Sequence, residues 1–204
     1  MAAGVDLGAV VALAGRRIDA PDAPQPRFPL ANVPRVRAEL ADLFWSGAVR
    51  ALVCSAACGA DLLALEAAGT ARIERHVVLP FDRATFRATS VVDRPGDWGT
   101  LFDRIIAEVD RQGHLEVGSG DPDDPAIYIH ANERIVSHAL ELLGQVDGGN
   151  PPIAVVVWEG APRGNDDVTE DFRQRAEGAG FVSRSVLTLE DFRSAGQMIG
   201  IPYL

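Results

Sequence analysis

Three segments of this sequence place chemically capable side chains beside backbone able to hold a small ligand. The first is Gly15-Arg16-Arg17-Ile18-Asp19, directly after an apolar run. Gly15 allows a tight turn, and an arginine at that point suits planar recognition of a phosphate or carboxylate. On that reading Arg17 takes the anion, while Asp19 orients the guanidinium or holds a ribose hydroxyl. The competing reading is a surface ion pair, which contributes little to stability.

The second segment is Ser55-Ala56-Ala57-Cys58-Gly59-Ala60-Asp61, between an apolar run and a helical pattern. Ser55, Gly59 and Asp61 are its candidate binding residues. Small residues admit a ligand to the main chain, and the amides of a helix start carry partial positive charge. Neither the dinucleotide spacing G-x-G-x-x-G nor the P-loop Lys-Ser/Thr pair is present. Asp61 acting only as a helix cap is the alternative. The third segment runs from Glu159-Gly160 through Arg163-Gly164-Asn165 to Asp166-Asp167-Val168-Thr169-Glu170. Its glycines suggest a phosphate cradle, its carboxylates oppose one, and a capped helix start at Asp166 or Asp167 is the simpler reading.

Other residues carry less. Cys54 and Cys58 lack the second pair of a zinc site and read as small residues packed beside a turn. His130, Arg134 and His138 share a helical face with Glu133 nearby, but so sparse a ligand set reads as a solvated face. Trp98 and Trp158 read as core or cleft wall. No Gly-x-Ser-x-Gly elbow is present. No metal and no cofactor are expected.

The elements that position these segments alternate. Apolar runs at 9–14, 50–55, 75–79, 113–117, 153–158 and 181–186 predict strands, several continuous enough for a sheet covered on both faces. Val33, Val36, Leu40, Leu43 and Phe44 follow helical spacing, with Asn32 as cap, Pro34 in the first turn and Gly47 at the end. Further helices are predicted at 60–69, after Asp97, at 125–143 and from Asp166–Asp167 onward. The stretches 19–29 and 118–125 read as surface loops. This order predicts one α/β domain over 1–204: a doubly wound, mainly parallel sheet of about six strands flanked by helices. In such sheets ligands bind beyond the carboxyl ends of the strands, where all three segments fall.

Composition narrows the function classes. Acidic residues number 29 against 19 Lys plus Arg, for a formal charge of −10. That field repels nucleic-acid backbones, so no nucleic acid is expected as a partner, whereas local arginines can still receive one small anion. The apolar start lacks a basic region and includes Asp6, and no run reaches membrane-spanning length. A cytoplasmic chain with no membrane partner is the expectation.

In order, these pieces resemble the SLOG superfamily, the Rossmann-like group that includes the Smf/DprA and LOG-type proteins. The likeness is greatest to members associated with adenylate cyclases or tetratricopeptide arrays. It rests on residues 14–19, on Arg27-Phe28-Pro29, on residues 55–63 with Leu65-Glu66-Ala67, and on Val77-Val78-Leu79-Pro80-Phe81. Phe86, Thr89-Ser90-Val91, Tyr128, Ala131-Asn132 and Val157-Trp158-Glu159-Gly160 continue it. The resemblance implies a cleft for a nucleotide or nucleotide-derived ligand, read as a signal by a protein effector, with a homodimer as a common arrangement. Arg17, Ser55, Gly59, Asp61 and Asn132 carry over by motif position, and with Gly15, Asp19, Glu159, Gly160 and Thr169 they make up the candidate binding residues. The alternative is a LOG-type phosphoribohydrolase, with Glu66, Glu159 or Glu170 acting on the ribosyl centre. The LOG loop Pro-Gly-Gly-x-Gly-Thr-x-x-Glu survives only as Gly160, Gly164, Thr169 and Glu170. Asp167-Val168 stand where glycines would admit a phosphate, which weighs against the enzyme. A DprA-like single-strand binder is disfavoured by the charge.

Overall fold

β1 (Ala9–Gly15) shows why the sheet is central. Its side chains alternate between two apolar layers: Val11 and Leu13 join one, Val10 and Ala12 the other. A strand apolar on both faces needs helices on both sides. They are supplied in a computed structural model that describes residues 8–45, 49–144, 150–164 and 166–189.

The remaining strands are β2 (Val49–Cys54), β3 (Glu74–Leu79), β4 (Leu115–Val117), β5 (Ile153–Trp158) and β6 (Val182–Leu187). All pair in parallel, in the order β4-β3-β2-β1-β5-β6. Helices α1 (Val33–Trp45), α2 (Ala60–Thr70), α3 (Arg83–Ser90) and α4 (Trp98–Arg111) cover one face through Leu40, Leu62, Phe86 and Phe102. Helices α5 (Ile127–Leu143) and α6 (Val168–Gly178) cover the other through Ile135, Ala139, Phe172 and Ala176. The chain therefore builds outward from β1 to β4, then returns across the sheet to lay β5 on the other side of β1. The doubly wound parallel sheet expected from the strand–helix alternation is the one observed.

The differences are local. The fourth strand is shorter than predicted because Gly113, at φ +77°, closes the turn after α4. Helix α3 was not among the predicted helices; the Asp82 carboxylate caps it by accepting from the Thr85 amide, and Phe86 and Ser90 bury its inner face. Asn32 lies in a 3-10 turn (Leu30–Asn32), where its side-chain amide donates to the Thr188 carbonyl. The stretch 19–29 is more than a surface loop. The Asp19 carboxylate accepts from the Arg27 and Phe28 amides, the Asp19 amide donates to the Phe28 carbonyl, and Phe28 is fully buried. Gly47 and Asn165 lie outside the described residues. Both cysteines are buried free thiols. Among the described residues, no helix is long and apolar enough to cross a membrane.

Candidate functional site

At the carboxyl end of the sheet, β1 and β5 are neighbours whose following loops diverge to opposite faces. A cleft of about 650 Å³ opens there. Its floor is the end of β1, with Ser55, Ala57 and Asp61 on one flank and Asn132, Val168 and Thr169 on the other. The stapled loop after Asp19 closes a third side through Ala20 to Gln25, and Phe86, Ser90 and Tyr128 complete the wall.

Strand parity decides what the two arginines after β1 do. Arg16 continues the Val10–Ala12 side and points toward α6, where it is almost fully buried. Its Nη1 and Nη2 donate to the Asp167 carboxylate at 2.6 and 2.7 Å, and its Nε donates to Glu159 at 2.6 Å. Arg27 also pairs with Glu159. Asp167 further accepts from the Arg163, Thr169 and Glu170 amides at 2.6, 2.9 and 3.4 Å. Burial pushes the Asp167 carboxyl up, but the bonds from Arg16 and these amides outweigh it and hold the group well below the usual carboxylate range. The amino terminus of α6, the predicted phosphate cradle, is thus filled by its own carboxylate.

Arg17 takes the opposite side, toward α2 and α3. It pairs with Asp93, whose other oxygen accepts from Arg94 at 2.9 Å. One carboxylate therefore serves two guanidinium groups. Among the described residues, Arg17 Nε and the fully buried Ser90 hydroxyl have no hydrogen-bond partner, and both residues line the cleft. The turn 55–61 enters α2 through Gly59 at φ +93°, with no side-chain cap on the helix. The Asp61 carboxylate instead accepts from the Ala57 amide at 3.1 Å. Burial, offset in part by that bond and by Arg17, pushes the Asp61 carboxyl up to about 7.

Of the predicted residues, Gly15, Arg17, Asp19, Ser55, Asp61, Asn132 and Thr169 line this cleft. Gly15 is required by packing: a Cβ there would lie 2.5 Å from that of Ala60 and 2.6 Å from the Val157 carbonyl. Asp19 bonds the loop backbone, and Arg17 is paired elsewhere, so the expected Asp19–Arg17 contact is not made. Asn132 uses its amide nitrogen on the Val168 carbonyl and Asp171, leaving Oδ1 as the group it can offer. Gly59, Glu159 and Gly160 are not among the lining residues. Gly59 packs against the Arg16–Ile18 backbone, Glu159 belongs to the Arg16 network, and Gly160 turns the chain at φ +94°.

The carboxylates proposed for ribosyl chemistry are held away from the cleft. Glu66 faces Arg37 and Arg104, Glu159 faces Arg16 and Arg27, and Glu170 faces Arg173. Arg16, Ser90 and the loop after Asp19 were missed by the sequence reading. The parity of β1 could have flagged Arg16, and the Asp82-to-Thr85 spacing ahead of Phe86 and Ser90 could have flagged α3. Among the described residues, the cleft lining holds no histidine or cysteine. No protein-family model and no curated protein matches the chain.

Proposed function

We propose that this chain binds a nucleotide or nucleotide-derived ligand in the cleft between β1 and β5 and serves as a sensor or regulatory domain. Occupancy would act through differential affinity for two states, passed to a protein effector or a second copy of the chain. The observation that carries the reading is the corner made by Arg17, Arg94 and the unpartnered Ser90 hydroxyl, at the point where the strand order reverses. The volume falls within the range of roughly 300–1,000 Å³ usual for small-molecule sites.

The two flanks support an orientation. With the α6 amides occupied by Asp167, an anionic group is favoured at Arg17 and Arg94. Tyr128, Ile135 and Phe86 offer apolar surface for a base, with the Asn132 Oδ1 as acceptor.

Calorimetry with AMP, ATP, NAD, ADP-ribose and cyclic dinucleotides tests this. At least one should bind with unit stoichiometry, and Arg17→Ala should weaken it about tenfold or more while leaving the fold intact, as expected for a lost charge-assisted bond. Absence of binding across the panel, or binding indifferent to Arg17→Ala, sinks the reading. Release of free base from these nucleotides would replace it with the enzymic one.

A further inference from the structure

β3 and β4 are parallel neighbours, so the residues leading into them meet at the amino-terminal edge, opposite the cleft. Glu74 and His76 are two apart on β3, and His114 immediately precedes β4. Their ligand atoms lie within 4.8 Å of one another, the one such group of three or more among the described residues. Glu74 Oε1 stands 2.8 Å from His76 Nε2 and 3.4 Å from His114 Nε2. The two imidazoles stack with centroids 4.3 Å and planes 18° apart, so one ring must turn for both Nε2 lone pairs to meet at one ion. Glu74 and His114 open on a surface pocket bordered by Arg72 and Gln112, which provides an entry path. The neighbouring Arg75 also lines this pocket, and its guanidinium is engaged by the Leu65 carbonyl and Glu108.

We propose that Glu74, His76 and His114 form a zinc-binding site that clamps β3 to the lead-in of β4. Two imidazole nitrogens and one carboxylate oxygen suit zinc, with a fourth position left for water. No residue of the cleft takes part, so this proposal stands apart from nucleotide binding.

The second shell sets a specific condition. His76 Nδ1 lies 3.0 Å from His138 Nε2, and His138 Nδ1 lies 3.1 Å from Arg134 Nη2. Arginine only donates, so His138 Nδ1 accepts, His138 Nε2–H donates to His76 Nδ1, and His76 Nε2–H donates to Glu74. Zinc on His76 Nε2 needs the reverse tautomers: His76 Nδ1–H donating to His138 Nε2, and His138 Nδ1 carrying the proton. The proton count is unchanged. The new His138 N–H must leave Arg134 for Glu116 Oε2, 3.7 Å away. Metal capture therefore works against the Arg134–His138 bond. Among the described residues, the buried His114 Nδ1 has no hydrogen-bond partner, and Nε2, 3.4 Å from Glu74 Oε1, is the nitrogen that would take the ion.

Titration of the untagged, chelator-treated full chain with zinc chloride tests the site, with visible absorption of the cobalt(II) form reporting tetrahedral geometry. One equivalent should bind and raise the thermal midpoint in proportion to log zinc concentration. Glu74→Gln and His114→Ala, both at accessible positions, should each weaken binding by about tenfold or more, whereas His130→Ala should not. Arg134→Gln should tighten binding by releasing His138. Failure to bind at millimolar zinc, or binding that either ligand substitution leaves unchanged in a folded chain, overturns the site. Unchanged or weaker binding in Arg134→Gln overturns the tautomer relay.

Discussion

Asp61→Asn isolates the energetic consequence of burying a carboxyl at the start of α2. The side chain is nearly inaccessible and accepts one hydrogen bond from the Ala57 amide. Burial raises its pKa from the ordinary 3.8 to about 7. At roughly 1.36 kcal/mol per unit, ionising it in the folded chain opposes stability by on the order of 4 kcal/mol. The sign follows from proton counting. Between about 4 and about 7 the folded chain holds the proton and the unfolded chain does not, so this group's contribution falls as pH rises and levels off above 7. Asparagine keeps an acceptor for Ala57 and cannot ionise. The variant should therefore match the parent only below about pH 3.8 and exceed it by about 2–4 kcal/mol at pH 8, relaxation around the ionised carboxylate taking up part of the full value. Urea denaturation of both proteins followed by circular dichroism gives the difference at each pH, with contributions from shared groups cancelling. A difference independent of pH, or a variant less stable at pH 8, would refute the reasoning.

Two other perturbations probe residues packed at and behind the cleft. Arg16→Met leaves the Asp167 carboxylate buried without its cation and should destabilise the fold by about 3–5 kcal/mol in urea denaturation. The Asp167 contribution is full above its unfolded value of 3.8 and lost as acid protonates it, so the acid limb of the stability profile should flatten in this variant. Gly59→Ala forces a side chain to φ +93° with its Cβ 2.8 Å from the Arg16 carbonyl, and should lower stability by about 1–3 kcal/mol, read as a lower urea midpoint.

What the sequence determined by itself was the order and kind of most elements and the sheet edge at which the three candidate segments gather. Continuous apolar runs such as Ala-Val-Val-Ala-Leu-Ala at 9–14, alternating with helical stripes, permit little besides a parallel sheet covered on both faces. Helix α3 escaped because eight residues give too few turns for a clear stripe, although Asp82 and Phe86 mark it. Tertiary structure alone decided which charges stay available. Arg16 and Arg17 are adjacent and chemically identical in the sequence. The two-residue period of β1 sends one into a buried pair with Asp167 and Glu159, and leaves the other sharing Asp93 with Arg94 at the cleft. The loop at Asp167 likewise contains what an anion site needs, yet its amides are filled by a carboxylate locked from 151 residues away. Such pairings join segments distant in the chain, and only the packed sheet brings them within hydrogen-bond reach.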